Sequence, residues 1–193
     1  MLRPFVISIT FCLLSLSWSS QGETVNYRGS PALRTPYDAK YRKVETYLTS
    51  IRSENSEFCS PSFLAQESRI RRCFSMVRSF RFQEEGLASS GRPEDHWQLP
   101  EETDRLRSGD CEDLALWLYC HLLDEGFNNV RFTIGFAGTN EKTMHAWVTW
   151  YERGESYILD PSRREGIYHS NRLGSITYQP RYSYYFDQKW HHQ

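Results

Sequence analysis

The amino-acid order predicts an α+β domain, with helices first and an antiparallel sheet after them. Three observations carry that expectation. Apolar residues recur at three- and four-residue steps from Tyr37 to about Phe82. The run from Leu114 to Leu123 is apolar on nearly every side, as a buried helix is. After Gly126 the period becomes two: Val130, Phe132, Ile134 and Phe136 alternate with Arg131, Thr133 and Gly135. Helices segregated ahead of strands give the α+β order, and no repeat or linker divides residues 37–193, which read as one domain.

Taken in order, residues 1–22 read as a signal peptide. Arg3 supplies the positive start, Phe5 to Trp18 a short apolar core, and Ser17, Ser19, Ser20 and Gly22 small residues for cleavage. The apolar run is shorter than the ~20 residues of a spanning helix, so cleavage leaves no transmembrane anchor. The mature chain is expected in a periplasm or outside the cell. Residues 23–36, polar and turn-rich around Gly29, Pro31 and Pro36, read as an exposed lead-in.

Tyr41, Val44, Tyr47, Leu48 and Ile51 mark the first helix. Ser60-Pro61 is a start signal for a second, which carries Phe63, Leu64, Ile70, Phe74, Val77 and Phe80 inward to about Phe82. A loop at Gly86–Pro93 follows. The central helix begins at Cys111, and Gly126 sits where a terminating glycine belongs. Strands are expected over Val130–Phe136, Met144–Tyr151 and Ser156–Leu159. Asp160-Pro161 closes the third, because proline brings no N–H to a ladder. Ile176, Tyr178, Tyr182, Tyr184 and Phe186 suggest one or two more strands.

Charge excludes one class of partner. With 23 Lys+Arg against 24 Asp+Glu there is no basic excess for nucleic acid. Arg69, Arg71, Arg72, Arg78 and Arg81 fall at helical spacing and read as a solvated face. Without the signal, Cys59, Cys73, Cys111 and Cys120 remain. Cys111 and Cys120, nine residues apart on one helix, stand about 13 Å apart, beyond the ~7 Å reach of a disulfide. Cys59 with Cys73 is the candidate bridge, the alternative being two buried thiols.

The chemistry centres on Cys111. It occupies the first turn of the central helix, where unpaired N–H groups and the positive dipole end favour a thiolate. His145 falls on the second strand and Asp160 at the end of the third, 15 residues later across a hairpin. Adjacent antiparallel strands bring such positions together. A thiol, a base and an orienting acid are what nucleophilic acyl chemistry needs. Trp97 is a candidate oxyanion donor through its indole N–H, beside the backbone N–H of Cys111, with a core ring as the alternative. Asp110, Glu112 and Asp113 are three carboxylates in four residues, hard oxygen ligands suited to calcium; helix-start acids are the alternative.

Gly109-Asp110-Cys111-Glu112-Asp113, His145-Ala146-Trp147 and Leu159-Asp160-Pro161 resemble the transglutaminase-like superfamily. With Trp97 and Pro100-Glu101 ahead of the cysteine, the pattern is closest to the bacterial transglutaminase-like cysteine proteinases of LapG type. The resemblance covers Trp97 to Asp160. It implies a papain-like α+β fold with Cys111 as nucleophile, His145 as base and Asp160 as orienter. It also implies a calcium site on Asp110, Glu112 and Asp113, a protein or peptide substrate, and a membrane-associated regulatory protein as partner. The expected function is an exported cysteine peptidase or amidase acting through a thioester. Passage of that thioester to an amine would make the chain a transglutaminase. A calcium-dependent binding module on the same fold is the non-catalytic alternative.

Overall fold

A computed structural model describes residues 27–54, 63–86, 96–139, 143–163 and 166–193. The signal-peptide reading, Cys59 and Ser60-Pro61 lie outside the described residues. Four helices are described: α1 (Asp38–Glu54), α2 (Phe63–Val77), α3 (Pro100–Leu106) and α4 (Cys111–Asp124). The strands are β1 (Ser30–Pro31), β2 (Arg81–Phe82), β3 (Ser108–Gly109), β4 (Val130–Gly138), β5 (Thr143–Glu152), β6 (Glu155–Leu159), β7 (Ile167–His169), β8 (Thr177–Tyr185) and β9 (Gln188–His191). Seven of them form one antiparallel sheet in the order β1-β9-β8-β4-β5-β6-β7. The α+β architecture holds.

α4 is buried because its sequence offers water almost nothing: every residue from Asp113 to Cys120, with Leu122 and Leu123, lies inside. It packs on β4 and β5, with α1, α2 and α3 against its other sides. Tyr41 and Val44 of α1, and Ile70, Cys73 and Phe74 of α2, complete the same core. At its end Gly126 takes φ 88°, and the N–H groups of Gly126 and Phe127 bond to the carbonyls of Leu123 and Leu122. That is the paired 5→2 and 6→1 closure a glycine permits.

Four elements depart from the expectation. α2 stops at Val77, and Arg81–Phe82 is an extended pair bonded in parallel to Ser108–Gly109. Pro100 opens the short helix α3, which Arg107 ends at φ 54°. β7 is an additional edge strand. The lead-in keeps its side chains largely exposed but is tied to the sheet: Ser30 pairs with His191, and Tyr27 donates to the Tyr178 carbonyl at 3.0 Å. The β2–β3 pair and the docking of the lead-in depend on partners distant in the chain.

The β2–β3 pair matters because it sets the backbone that enters α4. A β-carbon on Gly109 would lie 2.5 Å from the Asp113 β-carbon and 2.8 Å from its Oδ2. Glycine is therefore required for close approach, not for a left-handed φ. Gly109→Ala is expected to destabilise the fold by about 1–3 kcal/mol, as overpacking does. Urea unfolding of the two proteins measures it.

Candidate active site

The turn that carries Cys111 is built by a reciprocal cap. Asp110, at the N-cap of α4, accepts the Asp113 N–H at 3.4 Å, and Asp113 Oδ2 accepts the Asp110 N–H at 3.2 Å. Asp113 Oδ1 accepts the Gln98 N–H at 2.8 Å. One buried carboxylate thus ties the segment carrying Trp97 to the turn carrying Cys111. Cys111 and Glu112 are partly exposed at that turn.

Cys111, Glu112, Trp97 and His145 line one cavity of about 140 Å³, with Tyr37, Ile134, Met144 and Ala146. The walls are apolar, and the chemistry-bearing groups sit at one end of the sheet. Trp97 is buried, stacked on Tyr37 at 5.9 Å and edge-on to Phe132 at 5.5 Å. That packing makes it a wall of the cleft.

His145 Nε2 lies 2.7 Å from Asp160 Oδ2. Asp160 has no exposed surface and is held from several sides. Its Oδ1 accepts the Ser162 hydroxyl at 2.6 Å and the Ser162 N–H at 3.1 Å. Its Oδ2 accepts the Tyr178 hydroxyl at 2.7 Å, and the Arg163 guanidinium stands 3.2 Å away. Burial alone would raise its pKa, yet the bond to His145, the imidazole charge and the Ser162 and Tyr178 hydroxyls hold it below the usual value. Asp160 is thus an ionised acceptor, and an Nε2–H of His145 donates to it.

The thiol itself is suppressed. Its S–H donates to Glu112 Oε2 at 2.9 Å. Burial, then the Glu112 charge and that bond, push its pKa far up; the Ala146 backbone N–H favours the thiolate, and the Asp110 charge opposes it. Burial, followed by the charges of Glu112 and Asp113, pushes the Asp110 carboxyl up to about 8. Burial chiefly brings Asp113 to about 6.

The structure brings Cys111, His145 and Asp160 to one end of the sheet, with Trp97 and Glu112 on the same cleft. Asp110 and Asp113 lie beneath, in the cap. Among the described residues no group of three or more His, Cys, Asp or Glu side chains is gathered as a metal site. Both Asp113 oxygens are taken by backbone N–H groups, which leaves Asp110 and Glu112 as the carboxylate pair flanking the thiol. Cys73 is a buried thiol on α2. Sequence reasoning missed Ser162, Arg163 and Tyr178. The Asp-Pro-Ser run is a turn signal that could have found Ser162; no local pattern points to Tyr178.

The fold has solved counterparts. The structure of Legionella pneumophila LapG aligns at 21% identity with a TM-score of 0.55, over 79% of this chain and 87% of that one. Its calcium-bound form aligns at 22% identity and TM-score 0.55, over 79% of this chain and 80% of that one. An EGTA-treated form aligns at 21% identity and TM-score 0.55, over 79% and 85%. The fold is LapG-like. No family profile and no curated protein sequence matches the chain.

Two measurements follow from this geometry. Cys73 and Cys120 are each 1% exposed, so iodoacetamide is expected to modify Cys111 first among these three thiols, as peptide mapping would show. Asp110 and Asp113 bind protons more tightly folded than unfolded, so their stabilising contribution is full below about pH 4 and is lost as pH rises toward about 8. Melting temperature should therefore fall across that window, and Asp110→Asn should flatten the fall.

Proposed function

We propose that the chain is an exported cysteine peptidase or amidase acting through a thioester on Cys111. The observation that carries this reading is the shared cleft of Cys111 and His145, with buried, ionised Asp160 on the far nitrogen of the imidazole. His145 Nδ1 takes the thiol proton as the S–H turns from Glu112 to the imidazole. The thiolate adds to the substrate carbonyl carbon, and the resulting oxyanion is met by the N–H groups opening α4. The imidazolium, steadied by Asp160, returns the proton to the leaving amine, and the thioester forms. Water, deprotonated by His145, then releases the acid.

Asp110 and Glu112 fit a calcium ion as a partial ligand set, to be completed by water and main-chain oxygens. When bound, the cation would offset the acid–acid repulsion that burdens the thiol. The calcium-bound state of the solved LapG structure supports this reading. Residues 1–22 would direct the chain out of the cytoplasm, and no described helix is long and apolar enough to cross a membrane. The substrate would be a protein or peptide. A membrane-associated regulatory protein is the proposed partner.

His145→Ala is expected to lower turnover of a cleaved peptide by ~10²–10⁴-fold, while Asp160→Asn leaves residual activity. Intact-mass detection of an acyl group on Cys111 tests the intermediate; full activity in His145→Ala would remove the base from the scheme. EGTA is expected to lower both rate and melting temperature, since a ligand of the native state stabilises it by mass action. Glu112→Gln should reproduce the effect, and calorimetry without calcium uptake would exclude it.

A further inference from the structure

β4 borders two cavities, one toward each end of the strand. Ile134 lines the cleft that holds Cys111 and His145. Val130 and Arg131, at the start of the same strand, line a second cavity of about 400 Å³. Side chains alternate along a strand. Phe132 packs in the core that holds α4, so Arg131 stands on the other face. The lead-in reaches that face and brings Arg28 to the cavity, which Tyr151 of β5 and Trp190 of β9 also line.

Arg131 is a half-buried cation without an acid beside it. Its guanidinium lies over the Trp190 ring at 3.4 Å and the Tyr151 ring at 4.9 Å. Nη1 donates to the Arg28 carbonyl at 2.6 Å, and the Tyr151 hydroxyl is a second acceptor. Both acceptors are neutral, and among the described residues no carboxylate pairs with Arg131. Burial pulls its pKa down, the charge of Arg28 acts in the same direction, and only the contact with Tyr151 opposes them appreciably. The acids that line the cavity are engaged by other groups. Glu152 accepts from Asn129 Nδ2 at 2.9 Å and faces Arg153 at 3.7 Å, while Glu155 faces His169 at 3.2 Å. A charge taken out of water is ordinarily paired. An unmatched cation lining a cavity, with a second guanidinium on the same wall, is what an anionic ligand completes.

We propose that this cavity binds a small ligand through an oxyanion group, a carboxylate or a phosphate, held by Arg131 and Arg28. A guanidinium lying over aromatic rings keeps its N–H groups in its own plane. That fork matches the paired oxygens of a carboxylate or phosphate. The volume falls within the ~300–1,000 Å³ of small-molecule sites. Asn128 and Gln188 line the same cavity with amides, and Trp190 and Tyr185 with aromatic rings. Amides bond to hydroxyls and rings pack on the apolar face of a sugar, so a hydroxylated ring carrying the anion suits the lining. The site stands apart from the thioester chemistry, because β4 and β5 present Ile134 and His145 to one cavity and Arg131 and Tyr151 to the other.

The test uses the full chain and three probes built on one ring. Glucuronate carries the carboxylate, glucose 6-phosphate the phosphate, and glucose is the neutral control. Each is titrated at constant ionic strength while NMR follows the Trp190 indole N–H, assigned with Trp190→Phe. At least one anion is expected to shift that signal saturably, with an affinity at least tenfold above that of glucose. The tighter of the two identifies the group the site takes. Arg131→Gln should weaken that binding at least tenfold, and Arg28→Gln at least threefold. Arg131 also holds the lead-in, so circular dichroism checks that its variant folds; should it not, Arg28→Gln on the exposed lead-in decides alone. No saturable shift with either anion, an affinity equal to that of glucose, or binding unchanged in a folded variant of either arginine would overturn the proposal.

Discussion

The whole site depends on one buried carboxylate, that of Asp113. It has no exposed surface, and both its oxygens accept backbone N–H groups, from Asp110 and from Gln98. A charge taken out of water must be met in this way or it is expelled as a proton. The requirement has structural consequences on both sides. It closes the first turn of α4 on the cap residue, and it draws the Trp97 segment against that turn. It also excludes any side chain at position 109, where a β-carbon would occupy the space of the Asp113 side chain. The order Gly-Asp-Cys-Glu-Asp is then a mechanical unit: a close approach, a cap, a thiol, a partly exposed acid and an anchor.

Much of this was legible in the chain. The period of the apolar residues marks α4 and β4 to β6, and Gly126 marks a helix end, because these signals are local. The His145–Asp160 contact was legible for a related reason: a hairpin places residues 145 and 160 within reach without reference to the rest of the fold. What escaped is long-range. β8 lies beside β4, so that Tyr178 reaches Asp160 from across the sheet. The β2–β3 bridge and the docking of Ser30 on β9 likewise join distant segments. The role of Asp113 escaped for a different reason. A carboxylate at a helix start serves a metal or a cap equally well until its partners are known, and one of them, Gln98, lies 15 residues upstream.

The two carboxylate environments of the site work in opposite directions. Asp160 is buried but richly bonded, and its charge is stabilised. The acids around Cys111 are buried and crowd one another, so Asp110 moves up to about 8 and the thiol is lifted with it. A nucleophile normally sits in an electropositive setting. Here the N-terminal dipole of α4 and the Ala146 N–H favour the thiolate, and Glu112 and Asp110 oppose it. Two routes would relieve that opposition: protonation of an acid, or a cation between them. Either leaves the Asp160–His145 pair untouched, because that pair is built on different strands.

Pro161 links these separate features. Because it brings no N–H, β6 ends at Leu159, and the chain turns sharply enough for Ser162 to bond back to the carboxylate of Asp160. That turn holds Asp160 facing His145. The same termination leaves Ala146 with no partner in β6 among the described residues, and its backbone N–H favours the Cys111 thiolate. Had β6 run two residues further, Asp160 would have been an ordinary strand residue and the edge beside the thiol would have been closed. The facing of Asp160 on His145 and the backbone beside Cys111 are therefore set by one strand end.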